Sequence, residues 1–149
     1  MKRTILLLLV AVACRSSSTP TPNTGTNPGS NLPGAVAPRQ AVDRFIGAAK
    51  IGDLQELAVA WGTSKGPARD QFERTELEKR LTMMQGCYDA DKYRIVDEVP
   101  ADNGRRLLRV ELTKGAVTKI ARFTTEKGPN NRWFVQDADF GSVTALCKR

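Results

Sequence analysis

The side chains best suited to acid–base chemistry in this sequence are carboxylates, because it contains no histidine. Histidine is the side chain whose ordinary pKa lies near neutrality, so proton transfer here would need an Asp or Glu with a raised pKa. Asp137 and Asp139 stand two apart at the end of a strand-like segment, a spacing that points both to one side. Asp89, Asp91, Asp97 and Glu98 gather before and within an earlier strand-like segment. Paired carboxylates can divide acid and base roles, but strand-end charges standing in water are the commoner meaning of the pattern. Asp137 and Asp139 are therefore candidate pocket acids, and no residue is assigned a catalytic role. No serine has the strand-to-helix context of a nucleophile elbow. Gly25, Gly29 and Gly34 belong to a Ser/Thr/Pro/Asn tract and not to a phosphate loop. The sequence implies no cofactor.

The other reactive side chains are Cys14, Cys87 and Cys147. Met1-Lys2-Arg3 and an apolar run from Ile5 to Ala13 have the build of a secretory signal peptide. The run is far short of the ~20 residues that cross a bilayer core, and it has no polar face for a buried helix. It closes on Ala11-Val12-Ala13-Cys14, which resembles the lipobox of bacterial lipoproteins, with Ala11 where leucine is usual. The resemblance implies diacylglycerol on the Cys14 thiol and cleavage before it. An ordinary signal-peptidase cut at the same bond, without lipid, is the alternative. Arg15 in place of the retention aspartate implies the outer membrane where the cell has one, and otherwise the outer face of the plasma membrane. In an oxidising compartment the remaining even pair, Cys87 and Cys147, reads as a disulfide rather than as reactive thiols. Their spacing and the lack of histidine argue against zinc, and no metal site is expected.

Residues 1–13 are thus read as signal peptide, 14–37 as lipidated N-terminus and tether, and 38–149 as one folded domain. From Ser16 to Gly34 every residue except Leu32 is Ser, Thr, Pro, Asn or Gly, a composition with nothing to bury against the entropy of ordering it. Such a tract suits a tether, with an O-glycosylated stalk as an alternative. Loss of Lys2 and Arg3 leaves 21 basic against 16 acidic residues, net +5. Arg105, Arg106, Arg109, Lys119, Arg122 and Arg132 could attract anionic lipid or cell-wall polymer; a solvated basic surface is the plainer account. Nucleic acid is not expected as a partner of an exported, tethered domain.

The elements that must position these groups come in two kinds. Pro38 opens a helix whose Val42, Phe45, Ile46 and Ala49 share one face, with Gly52 ending it. Asp53-x-x-Glu56 caps a second helix, with Leu54, Leu57, Ala58 and Trp61 on one stripe. Pro67 opens a third through about Gln85, carrying Leu77, Leu81, Met84 and Tyr88, with Asp70/Arg74 and Glu76/Arg80 as i, i+4 pairs. After Gly86 the period becomes two, and 92–99, 105–113, 116–126 and 132–138 read as strands joined by Asn103-Gly104, Lys114-Gly115 and Gly128-Pro129-Asn130. Helices followed by a meander predict an α+β fold, three N-terminal helices packed on a four-stranded antiparallel sheet.

This order resembles the nuclear-transport-factor-2-like superfamily, a cystatin-like α+β cone. The carrying residues are Ala41-Val42-x-x-Phe45 through Gly52-Asp53, Lys79-Arg80 with Met83-Met84, Tyr93-Arg94-Ile95-Val96 and Arg132-Trp133-Phe134-Val135. More narrowly it resembles small lipoproteins that carry such a domain. The resemblance implies a membrane-anchored, non-catalytic binding or interaction module; the alternative is a small-molecule lyase or isomerase with a carboxylate inside the cone. Ile120 and Phe134 point opposite to their apolar neighbours, so the outer sheet face should carry an apolar patch. That patch is the expected contact for a homodimer or an envelope protein, unless the tether or a loop folds over it or the residues are scattered singly.

Overall fold

The structure, a computed structural model, describes residues 32–148. The signal-peptide and Cys14 readings lie outside the described residues. The fold is α+β, with helices packed against one four-stranded antiparallel sheet. Helix α1 (Pro38–Ile51) begins with Pro38 in its first turn and buries Val42, Phe45, Ile46 and Ala49. It ends where Gly52 adopts φ 72° and its N–H meets the carbonyls of Ala48 and Ala49, a left-handed cap that glycine adopts at no steric cost. Helix α2 (Leu54–Ala60) follows at once, with Asp53 accepting a bond from the Glu56 N–H at 2.9 Å.

The next segment departs from expectation. Trp61 leaves the helix as extended chain, and β1 (Gly62–Thr63) pairs with β2 (Gly66–Pro67) in a small hairpin. Pro67 is therefore a strand residue. The long helix α3 starts later and ends later, at Arg74–Tyr88, with Glu73 as its N-cap accepting from the Thr75 N–H at 2.8 Å. The cause is tertiary: Trp61 forms a parallel bridge to Val135, and its carbonyl accepts the Ala68 N–H at 2.8 Å. Recruitment to the sheet edge overrides the helical spacing of Trp61 and the helix-opening tendency of Pro67. The shift also replaces the expected Asp70/Arg74 pair: Arg74 bonds Glu78 at 2.9 Å, and Asp70 sits beside Arg69. Glu76 and Arg80 pair as the spacing requires, at 2.7 Å.

The large sheet runs β3 (Lys92–Pro100), β4 (Arg106–Lys114), β5 (Val117–Lys127), β6 (Trp133–Ala138), in chain order, as a meander. Asn103 and Gly104 take positive φ at the β3–β4 turn, as does Gly115 at the next, the turn chemistry the sequence requires. Register sets Leu108 against Phe123, Val110 against Ala121 and Leu112 against Lys119. Leu108, Val110, Leu112, Ala121 and Phe123 are fully buried facing the helices. A ring cluster fills the helix-facing side: Phe45 lies 5.5 Å from Tyr88 and 5.8 Å from Phe123, with Tyr88 5.4 Å from Phe123 and 5.8 Å from Phe140.

Phe134 takes the other face and is nevertheless buried. It lies under three backbone segments that approach closely because they carry glycine: a β-carbon at Gly34, Gly62 or Gly128 would stand 2.8, 2.9 and 2.9 Å from its ring. Ala35 adds the outermost contact, exchanging two 2.8 Å backbone bonds with Trp133. The Gly34 carbonyl accepts from both Arg44 and Arg132. The last residues before the domain thus fold over part of the expected apolar patch. Ile120, half exposed, and Val99 remain in solvent, separated by the Arg109–Arg122 cross-strand pair.

The C-terminus closes the helix side through α4 (Phe140–Val143) and a short turn that buries Val143 and Leu146. Cys147 is disulfide-bonded to Cys87, one residue before the end of α3. Next to it, Lys114 donates to the Gly86 and Leu146 carbonyls and pairs with Asp89. Burial pushes the Asp89 carboxyl up, but Lys114 and Lys148 together hold it below its ordinary value.

Candidate functional site

A groove of about 420 Å³ opens between α3 and the β6 edge of the sheet. Helix α3 supplies Arg80, Met83 and Met84 to one wall, β6 supplies Gln136, Asp137 and Ala138 to the other, and Phe45, Trp61 and Phe140 form its apolar base. Each is held by the fold. Phe45 belongs to the buried stripe of α1, Trp61 stacks on Phe72 at 5.0 Å, and the Arg80 guanidinium lies 5.0 Å over the same Phe72 ring. Glu76 holds Arg80 from the other side. Met83, exposed to 54%, gives the rim a flexible, polarisable surface suited to varied apolar groups. A second hollow of about 610 Å³ lies between α2 and α3, floored by Leu54, Ala58, Phe72, Leu77 and Leu81.

Asp137 and Asp139 have separate roles. Asp137 is exposed, lies opposite Thr124 and contributes to the groove wall. Asp139 caps α4, accepting from the Ser142 N–H at 3.3 Å, and pairs with Arg122 at 3.4 Å. One carboxylate is at the groove, while the other is engaged in a cap and an ion pair. Asp97 is likewise engaged: hydrogen bonding from Arg109 outweighs the upward push of desolvation and holds its carboxyl below the ordinary value. Glu98 faces inward between Arg39 at 3.2 Å and Arg106 at 2.9 Å. Ser64 in Gly62-Thr63-Ser64-Lys65-Gly66 fits the letters of a Gly-x-Ser-x-Gly motif but lacks its structural context. It stands at the tip of the β1–β2 hairpin and not on a strand-to-helix turn, and its N–H is bonded to Glu126. Among the described residues no group of three or more Cys, Asp or Glu side chains could hold a metal ion.

Sequence reasoning did not single out Tyr88 beyond its place on a helix stripe. Its ring is fully buried, and its hydroxyl has no hydrogen-bond partner among the described residues. Burial pushes its pKa well above the usual 10, and the nearby charges of Asp139 and Asp137 push the same way. A phenol kept neutral in the fold but free to ionise in the unfolded chain contributes stability that is complete below pH 10 and falls as pH rises above it. Tyr88→Phe is expected to raise stability at pH 7 by about 1 kcal/mol, because it removes an unsatisfied buried group. It should also flatten the alkaline loss. Urea unfolding at pH 7 and 10.5 reads both, and a destabilised variant would mean that the hydroxyl has a partner.

The six basic side chains read as attracting anionic lipid or polymer differ in their engagements within the fold. Arg106 pairs with Glu98, Arg109 with Asp97 and Arg122 with Asp139, while Arg105 and Arg132 donate to backbone carbonyls. Lys119, the sixth, is exposed at the far end of the sheet from Arg105, Arg106 and Arg132. No protein family, characterised protein or solved structure gives a match to this chain.

Proposed function

We propose that the chain is an exported lipoprotein, anchored through diacylglycerol on Cys14, whose domain is a non-catalytic binding module of the nuclear-transport-factor-2-like type. The reading of the domain rests chiefly on how the helix-facing side of the sheet is filled. Where an enzyme of that type would keep a cavity with an acid or base, the side chains between helices and sheet are Phe45, Tyr88, Phe123 and Leu108, all fully buried, the three rings in mutual contact. The one inward carboxylate noted above, Glu98, is committed to two arginines. The α3–β6 groove, open beside the α2–α3 hollow, is apolar at its base with one cation and one anion on opposite walls, a lining suited to holding an apolar group rather than to turning it over. The anchor rests on residues 1–14, and no helix among the described residues is long and apolar enough to cross a membrane.

Metabolic labelling with a fatty-acid analogue tests the anchor. Label and membrane association should be present in the intact protein and lost in Cys14→Ser; their survival in that variant would refute the assignment. Cross-linked capture from native envelope tests the module, using Met83→Glu to place a charge in the groove. A partner held equally well by that variant would move binding away from the groove.

A further inference from the structure

Five lysines gather at one end of the sheet. Lys92 opens β3, Lys114 closes β4, Lys119 lies on β5, and Lys50 and Lys148 adjoin them through bonds to the Asp91 and Gly86 carbonyl region. Two aspartates answer them. Asp89 is taken by Lys114 and Lys148, and Asp91 accepts the Gly115 N–H and so braces the β4–β5 turn. Arg94 and Glu111 close on each other alongside. Lys92 and Lys119 have no carboxylate partner among the described residues.

The turn and the start of β5 are open to solvent, while on β4 Leu112 is buried and Lys114 packs against α3 and the C-terminal turn. From Gly115 to Ile120 every residue is exposed, whereas Ala121 and Phe123 on the same strand are buried. With Lys92 of the neighbouring strand, this end of the sheet carries an apolar group and a lysine without a carboxylate partner towards each face. Val117 (38% exposed) and Lys119 share one face, and Ile120 (50% exposed) and Lys92 lie towards the other. Val117 and Ile120 stand in solvent on this stretch of β5, where packing does not require apolar side chains. Apolar side chains flanked by lysine suit the boundary of an anionic bilayer, where the chains enter among head groups and each lysine meets lipid charge.

The geometry points to the β4–β5 hairpin tip as a docking surface for an anionic lipid bilayer. Its orientation rests on the lipid-anchor reading above; its affinity for lipid does not. Gly34 and Ala35 join the fold beside Trp133, which pairs with Lys127 at the opposite end of β5. The 11 residues of β5 span roughly 36 Å at ~3.3 Å each. Twenty residues from Cys14 to Gly34 reach at most about 70 Å, so the anchored domain can stand tip-down without straining its tether. The hairpin then needs little intrinsic affinity, since the anchor supplies a high local concentration.

The test uses a chain from Arg15 to Arg149, which keeps every described residue and carries no lipid. Co-sedimentation with vesicles of phosphatidylcholine and phosphatidylglycerol at 3:1, against pure phosphatidylcholine, should show salt-sensitive binding to the former alone. Lys92→Glu with Lys119→Glu should weaken it at least twentyfold, at about fivefold or more per lysine. Val117→Ser with Ile120→Ser should weaken it severalfold. Lys65→Glu with Arg105→Glu, equal in charge and remote from the tip, should leave most of the binding. Equal loss in the remote pair would reduce the effect to overall charge and overturn the proposal. Binding that a soluble polyanion abolishes and the serine pair leaves untouched would make the partner an anionic polymer instead. Absence of binding to anionic vesicles would also refute it, and because this chain has no lipid, none of these outcomes depends on Cys14.

Discussion

Phe45→Ala should lower the unfolding free energy by about 3–5 kcal/mol, on the order of half the total expected for a single domain of this size. Phe45 is fully buried and its ring touches Tyr88 and Phe123, so truncation removes the ring at the centre of the layer between α1 and the sheet. The neighbours cannot collapse into the space, because Tyr88 is fixed from the far side by Phe140 and Phe123 is held by its strand. The same ring lies at the base of the α3–β6 groove, so any ligand there should be lost together with stability. Ile120→Ala, at a half-exposed outer-face position, should change stability by no more than about 0.5 kcal/mol. Urea denaturation of the three proteins decides it. A Phe45→Ala loss below about 1.5 kcal/mol would mean that the ring cluster is not the centre of the core.

Opening the Cys87–Cys147 bridge should have an effect of similar size. The bond joins positions 60 apart, and the chain-entropy account gives ~4 kcal/mol for a loop of that length. The loop encloses all four strands of the large sheet, so its loss frees most of the domain in the unfolded state. Thermal melts of the native protein, the reduced protein and a Cys87→Ser/Cys147→Ser variant should place the last two together and well below the first. Near-identical melting temperatures would show that Lys114, which ties the same segments through Asp89 and the Leu146 carbonyl, suffices by itself. Peptide mass spectrometry without reductant is the direct check on the bond in protein from its own compartment.

The sheet was legible because its strands are runs of six or more residues rich in β-formers, set between turns that require glycine or asparagine. Strand ends agree with the pattern to within about one residue, and so do the ends of α1 and the start of α2, where Pro38, Gly52 and Asp53 act locally. The segment from Trp61 to Glu73 was not legible. Gly62 to Gly66 break the chain and Pro67 suits a helix start, but the extended Trp61 and the hairpin after it depend on the bridge to the distant Val135. The burial of Phe134 was hidden for a similar reason: the glycines that cover it, at 34, 62 and 128, are far apart in sequence. At the candidate site the pattern found Asp137 but not the groove it borders, because α1, α3, β6 and α4 meet there only in three dimensions. It paired Asp137 with Asp139 by spacing alone, and the turn into α4 gives the second carboxylate to a helix cap.

Where the chain enters the fold also sets how the domain would carry a mechanical load. A pull along the N-terminal segment arrives at Gly34 and Ala35, where two backbone bonds to Trp133 and two arginines on one carbonyl resist it. If that contact peels, α1, α2 and α3 can be drawn out in turn. The force then meets Cys87 and crosses directly to Cys147, leaving the four strands between them unloaded. Oxidation therefore removes a 60-residue loop from the stretchable length, about 200 Å of contour at roughly 3.5 Å per residue. Under tension the helices would act as an extensible leader, and the cross-linked sheet would remain an intact body at its end.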